Sequence, residues 1–205
     1  MSGGILHRLR RFGADSEGSA IIELALSIAL FLLLFFGLID FTRLGFTYVM
    51  GEKATERAVR LAIVNPGICE GMPRYNAVGY NEEADYGEDC NSAGGTCENV
   101  GSFTCTGSDD NDTAASIFAQ VRPLLPTGAT AENLEFTYSY DNDLGFLGGP
   151  FTPVVSVRIV DLTYNFITPL GVMAGVADGS GQDTGFAASF IFPGLSASLA
   201  AENIL

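Results

Sequence analysis

From Ser19 to Ile39 every position is apolar or small except Glu23. A helix of about twenty-one such residues, rising about 1.5 Å per residue, spans the roughly 30 Å hydrocarbon core of a bilayer. Beyond it, Phe41, Leu44, Tyr48, Ala54, Ala58, Leu61 and Ala62 recur at spacings of three, four or their sums, while Arg43, Glu52, Lys53, Glu56, Arg57 and Arg60 occupy the other faces. That periodicity predicts an amphipathic continuation of the same helix. Glu56 and Arg60 stand in the favourable i,i+4 order, and Lys53, Arg57 and Arg60 complement the helix dipole. Asn65-Pro66-Gly67 then stops the helix, giving about 46 residues and a length of roughly 70 Å.

The pattern changes after Pro66. Residues 66–112 show little periodicity and are rich in Gly, Asn, Glu and Asp, which predicts a long loop held by its cysteines rather than by a core. Thr113 to Leu124 reads as a short helix, capped by Asp112 or Thr113, with Ile117, Phe118 and Val121 on its apolar face and Pro123 and Pro126 ending it. Residues 132–140 alternate Leu134, Phe136, Tyr138 and Tyr140 on one face of a strand. Residues 153–166 predict one longer strand, with Val155, Val157 and Ile159 on one face and Val160, Leu162, Tyr164 and Phe166 on the other. A last strand within 185–200 carries Pro193 as its break. The expected class is α+β: a long N-terminal helix, membrane-spanning in its first half, then a small antiparallel sheet with a disulfide-held loop. The expected segments are a basic leader at 1–18, the helix at 19–64, an acidic cysteine-rich region at 65–112 and an α+β exported domain at 113–205.

Charge narrows the classes. Twenty-four Asp and Glu face ten Lys and Arg, and beyond Pro66 the basic residues are Arg74, Arg122 and Arg158 alone. Nucleic-acid binding needs the opposite sign. Arg8, Arg10 and Arg11 of the leader favour a cytoplasmic position for it. Cys69, Cys90, Cys97 and Cys105 lie together beyond the apolar run. An even count there predicts two disulfides, hence an oxidising compartment, with three pairings open. A zinc site is the rival reading, but no CxxC spacing is present and the lone His7 lies before the apolar run. No metal or other cofactor is expected.

Catalytic chemistry has little to draw on. With its one histidine in the leader, the exported part has no Ser/His or Cys/His dyad, and the protein is expected not to be an enzyme. Asp141 and Asp143 offer paired carboxylates for acid and base work, against the simpler reading of a polar turn before Gly145. The stretches at 108–112, 141–145 and 178–183 offer hard oxygen ligands for calcium, but none completes an EF-hand loop, since the twelfth position from Asp141 is Thr152 rather than Glu. Tyr75, Tyr80 and Tyr86 with Asn76 and Asn81 suit either an exposed adhesive surface or the packing of the cysteine loop.

Gly18, Glu23 five residues on, the apolar helix, Asp40 with Arg43 after it, and the ATERAVRLAIV end from Ala54 together resemble the TadE-like family of tight-adherence (Tad/Flp) pilus proteins. The VSVRIVDLTYNFITPLG and FAASFIFPGLSASLAAEN segments are similar to the strand, Thr-Pro-Leu turn and last strand that close members of that family. Leu24 departs from the pattern, since many prepilin-type motifs carry an aromatic after the Glu. The resemblance implies a minor pilin or pseudopilin that a prepilin peptidase cuts between Gly18 and Ser19, leaving Glu23 fifth in the mature chain as its assembly carboxylate. It also implies an inner-membrane location with the N-terminus cytoplasmic and the C-terminal domain periplasmic, or extracellular in an assembled pilus. The implied partners are the membrane, other pilin or pseudopilin subunits and the inner-membrane platform, with no nucleic acid. Ser19, Ala20, Ala25, Ser27, Ala29 and Gly37 are the small residues available for close helix packing. The rival expectation is an uncleaved, signal-anchored binding module, calcium-dependent in one form, that keeps residues 1–18.

Overall fold

A computed structural model describes residues 17–81, 83–92, 94–165 and 189–201. The leader up to residue 16, the Thr-Pro-Leu turn at 168–170 and the acidic stretch at 178–183 lie outside the described residues.

One helix, α1 (Glu17–Ala62), takes up the whole N-terminal pattern in 46 residues. The chain divides into two compact units, one containing residues up to Arg43 and the other beginning at Leu44. In the first unit the large apolar side chains of α1 from Ile21 to Ile39 are mostly exposed around the whole circumference, as are Phe41 and, in the second unit, Phe46. A helix apolar on all sides is stable only when lipid or other helices surround it. Asp40 departs from its neighbours: it is 1% exposed. The stretch Ala20–Ala62 is one helix long and apolar enough to cross a membrane.

In the second unit the helix changes character. Gly51, Ala54, Thr55, Ala58, Val59 and Ala62 form a buried stripe, while Glu52, Lys53, Glu56, Arg57 and Arg60 are exposed. Small residues let other side chains approach the helix axis; a Cβ on Gly51 would sit 2.9 Å from Leu195 Cδ1 and 3.1 Å from Phe192 Cε1. The ion pair in this stretch differs from the expected one. Glu56 binds back to Lys53 at 2.8 Å rather than forward to Arg60, because the i,i+3 spacing also brings two side chains onto one face.

The sheet has four antiparallel strands in the order β1-β2-β3-β6: β1 (Ser102–Thr106), β2 (Leu134–Ser139), β3 (Val154–Ile159) and β6 (Ser196–Ala200). The alternation in β2 and β3 buries Leu134, Phe136, Tyr138, Val155, Val157 and Ile159. The opposite face is polar and in register. Thr104 pairs with Thr137, Thr137 with Ser156 and Ser156 with Ser198, so one row of hydroxyls crosses all four strands. Beside that row Arg158 Nη2 and Nε both donate to Glu135 Oε1, at 2.7 and 3.1 Å.

Three expectations need correction. The strand expected across 153–166 is two: β3 ends at Ile159, Asp161 turns with φ +49°, and β4 (Thr163–Asn165) pairs with β5 (Ser189–Ile191) in a separate two-stranded sheet. The turn is fixed by Val160, whose N–H donates to Asn133 O at 2.9 Å, and it allows Leu162 and Tyr164 to be buried like the β3 residues. Secondly, α2 (Asp112–Val121) is capped by Asn111, not Asp112 or Thr113; Asn111 Oδ1 accepts from Ala114 N at 3.0 Å. Thirdly, residues 66–112 are more than a loop, since they supply β1. The break expected at Pro193 lies between β5 and β6.

Candidate functional site

The residues singled out by the sequence fall into two groups that belong to different compact units. The first is on α1. Gly18 and Ser19 lie in its first turn and Glu23 on its second, exposed like the apolar residues around it. First-turn N–H groups have no acceptor within the helix. The bond between Gly18 and Ser19 is therefore in the part of the helix easiest to unwind. Among the small residues noted on this helix, a Cβ on Gly37 would meet nothing within 4 Å, so that position is open to a close neighbour.

The second group lies in the cysteine-rich region. The cysteines pair as Cys69–Cys105 and Cys90–Cys97, a pairing that spacing alone left open. Cys69–Cys105 ties the exit from α1 to edge strand β1. Cys90–Cys97 closes a small loop that backbone bonds stitch on both sides. Gly79 N donates to Thr96 O and Glu98 N to Ala77 O on one side; Cys90 N donates to Gly145 O and Leu147 N to Glu88 O on the other. Cys90, Cys97 and Leu147 form a small core there, flanked by Ala84 and Tyr140.

The tyrosines and asparagines of this region separate. Tyr80 and Tyr86 are 85% and 84% exposed and Tyr75 is also exposed. Asn76 is buried, its Nδ2 donating to Phe146 O and Pro150 O, both at 3.2 Å, so it holds the fold and is not part of any contact surface. Asn81 Oδ1 accepts from Glu83 N. Asp141 and Asp143 form a turn, Asp143 N donating to Asp141 Oδ1 at 3.0 Å, and Asp143 Oδ1 accepts from Asn91 Nδ2 at 3.4 Å. The 108–112 stretch is the capping turn of α2, with Asp110 N donating to Ser108 Oγ and Asn111 Nδ2 to Ile68 O. Among the described residues no three His, Cys, Asp or Glu side chains gather where a metal ion could sit.

Burial pushes the Tyr140 phenol above its usual pKa, and the nearby Asp141 carboxylate adds to the shift. The alternation of β2 placed Tyr140 on the core face. It lies one residue beyond the strand, and with Asp141 and Asn142 it lines an open cleft against the Cys90–Cys97 loop. The Tyr-Asp-Asn run at a strand end was the signal available for that cleft.

Comparison with known families matches residues 18–60 to a profile described as TadE-like protein. This segment, from the glycine through the amphipathic end of α1, is similar to TadE-like proteins. No curated protein and no solved structure matches the chain.

Proposed function

We propose that this protein is a minor pilin or pseudopilin of a tight-adherence pilus, cut between Gly18 and Ser19 by a prepilin peptidase and acting by assembly with other subunits. The observation that carries the reading is Glu23: a carboxylate exposed on a helix of outward-facing apolar residues, five positions beyond the glycine with which the TadE-like match begins.

The energetics favour a partner for that carboxylate. An acidic residue at the centre of a spanning helix costs about 2.5–3.5 kcal/mol, and less near an interface. Two unit charges 4 Å apart attract by about 4 kcal/mol at an effective dielectric constant of about 20. Cleavage creates the ammonium at Ser19, at the same membrane depth as Glu23 to within about one helical turn. A neighbouring subunit's terminus that reaches Glu23 offsets the desolvation and selects one axial register, because a slip by one turn separates the charges. The apolar circumference of α1 is covered by lipid before assembly and by other helices and the inner-membrane platform after it. The acidic domain with its two disulfides faces the oxidising side.

Glu23→Ala tests this. The variant is expected to insert into the membrane and reach normal levels while pilus assembly falls. Normal piliation in cells carrying only Glu23→Ala would overturn the role given to Glu23.

A further inference from the structure

An open cleft of about 700 Å³ lies in the cysteine-rich region, between the 78–80 segment, the Cys90–Cys97 loop and the end of β2. Two tyrosines line it, Tyr140 and the far more exposed Tyr80. A Cβ placed on Gly95 would lie 2.6 and 2.5 Å from the Tyr80 ring carbons Cδ2 and Cζ and closer still to Cε2 between them, a geometry met only above the face of the ring. Gly95, with φ +85°, thus supports one face of Tyr80 without a side chain, while the residue as a whole remains 85% exposed. A large ring held against backbone on one face and bare on the other is a stacking platform. The walls are pre-formed, because the disulfide and the hydrogen bonds of Gly79 and Asn81 to Thr96 and Gly95 fix the two segments that carry Tyr80 and its seat.

Around the platform the cleft offers Asn91, Asn99 and Asn142 together with the carboxylates Glu98 and Asp141, and among the described residues no lysine or arginine lines it. The side chains of Glu98 and Asn142 make no hydrogen bond among the described residues, so both are available to a ligand. Carboxamides supply donors and acceptors together, which is what hydroxyl groups require; a cation would need acceptors only. A sugar ring presents a flat face of C–H groups to an aromatic ring and hydroxyls at its rim. The acidic lining, in a chain with a formal net charge of −14, repels uronates, sulfated chains and nucleic acids. We infer that this cleft binds a neutral saccharide, stacked on Tyr80 and hydrogen-bonded by the side chains of Asn142, Glu98 and Asp141.

The inference stands apart from the assembly reading, since binding by the isolated full chain requires neither cleavage nor a pilus. The full chain in a polyoxyethylene detergent, which carries no sugar headgroup, is passed over immobilised neutral oligosaccharides of hexoses and N-acetylhexosamines. A uronate polymer and a lysine polymer serve as charge controls. At least one neutral oligosaccharide is expected to retain the protein in a salt-independent way. Tyr80→Ala should weaken that binding about tenfold, and Tyr80→Phe, which keeps the ring, by much less. Tyr86→Ala, another exposed tyrosine that does not line the cleft, should leave it unchanged. Because Tyr80 is exposed, the variant is expected to fold, and mass mapping of Cys90–Cys97 checks that it does. Asn142→Ala, at an exposed position, gives a second variant that should also lose affinity. Failure of every neutral oligosaccharide to bind, or binding indifferent to Tyr80→Ala and Asn142→Ala, would overturn the inference. Capture by the lysine polymer alone, lost on adding salt, would overturn it too and assign the cleft to a cationic partner.

Discussion

The phenol of Tyr138, on the buried face of β2, accepts a hydrogen bond from the backbone N–H of Ile68 at 3.3 Å, tying the centre of the sheet to the chain just past the end of α1. Tyr138→Phe keeps the ring but leaves the buried Ile68 N–H without an acceptor. An orphaned donor of this kind costs about 1–3 kcal/mol, so the variant should show a lower denaturation midpoint with an unchanged slope.

The burial of the same side chain sets a pH dependence. Burial pushes the Tyr138 phenol upward, against a smaller opposite pull from the Ile68 N–H. The unfolded phenol, with a pKa of about 10, loses its proton first, so the contribution is fully present below about pH 10 and is lost as pH rises toward the folded-state value. Tyr140 is shifted in the same direction. The stability gap between wild type and Tyr138→Phe should therefore narrow above about pH 10, as alkaline denaturation curves of both will record.

The two disulfides should differ in worth. Cys69–Cys105 closes a separation of 36 residues and Cys90–Cys97 one of 7. Loop-closure entropy gives about 4 kcal/mol for the first and about 2.5 kcal/mol for the second. Paired Cys→Ser replacements should rank in that order by thermal midpoint, with Cys69/Cys105 the more damaging.

Ala58 is fully buried on α1 whereas Arg57 beside it is exposed. Ala58→Leu should destabilise the second unit by about 1–3 kcal/mol through overpacking. Arg57→Ala should stay within about 0.5 kcal/mol, as surface changes usually do. Denaturation of the two variants under the same conditions checks the contrast, and equal effects would contradict the buried stripe.

Glu135 and Arg158 are directly opposed on β2 and β3, and the pair is partly open to solvent. A double-mutant cycle to alanine should give a coupling below about 1 kcal/mol, falling with salt.

Much of the fold was legible because single-residue patterns dominate it. The run from Ser19 to Ile39 leaves helix as the one structure able to satisfy its backbone in lipid, and the alternation of Leu134, Phe136 and Tyr138 suits a strand buried on one face. What was missed depends on contacts distant in sequence. Strand β1 reads Ser-Phe-Thr-Cys-Thr, with little apolar alternation, and becomes a strand by pairing Cys105 with Phe136 and Phe103 with Tyr138. The break at Asp161 requires a positive φ at a residue other than glycine, held by the bond from Val160 to Asn133 on another segment. The pairing of four cysteines cannot be deduced from their spacing. Of the candidate site, Gly18 and Glu23 were visible as a motif, and the exposed Tyr80 as an aromatic in a polar loop. Gly95 beneath it and Asn142 beside it were not, since neither carries a local signal of its own.

The proposed function requires the chain to mature at the start of α1, between Gly18 and Ser19. The most direct test is the intact mass and amino terminus of the full chain, expressed with and without the prepilin peptidase of its host. Cleavage predicts Ser19 as the first residue when the peptidase is present and the intact leader when it is absent. Retention of residues 1–18 in both cases would contradict the claim and favour an uncleaved anchored module.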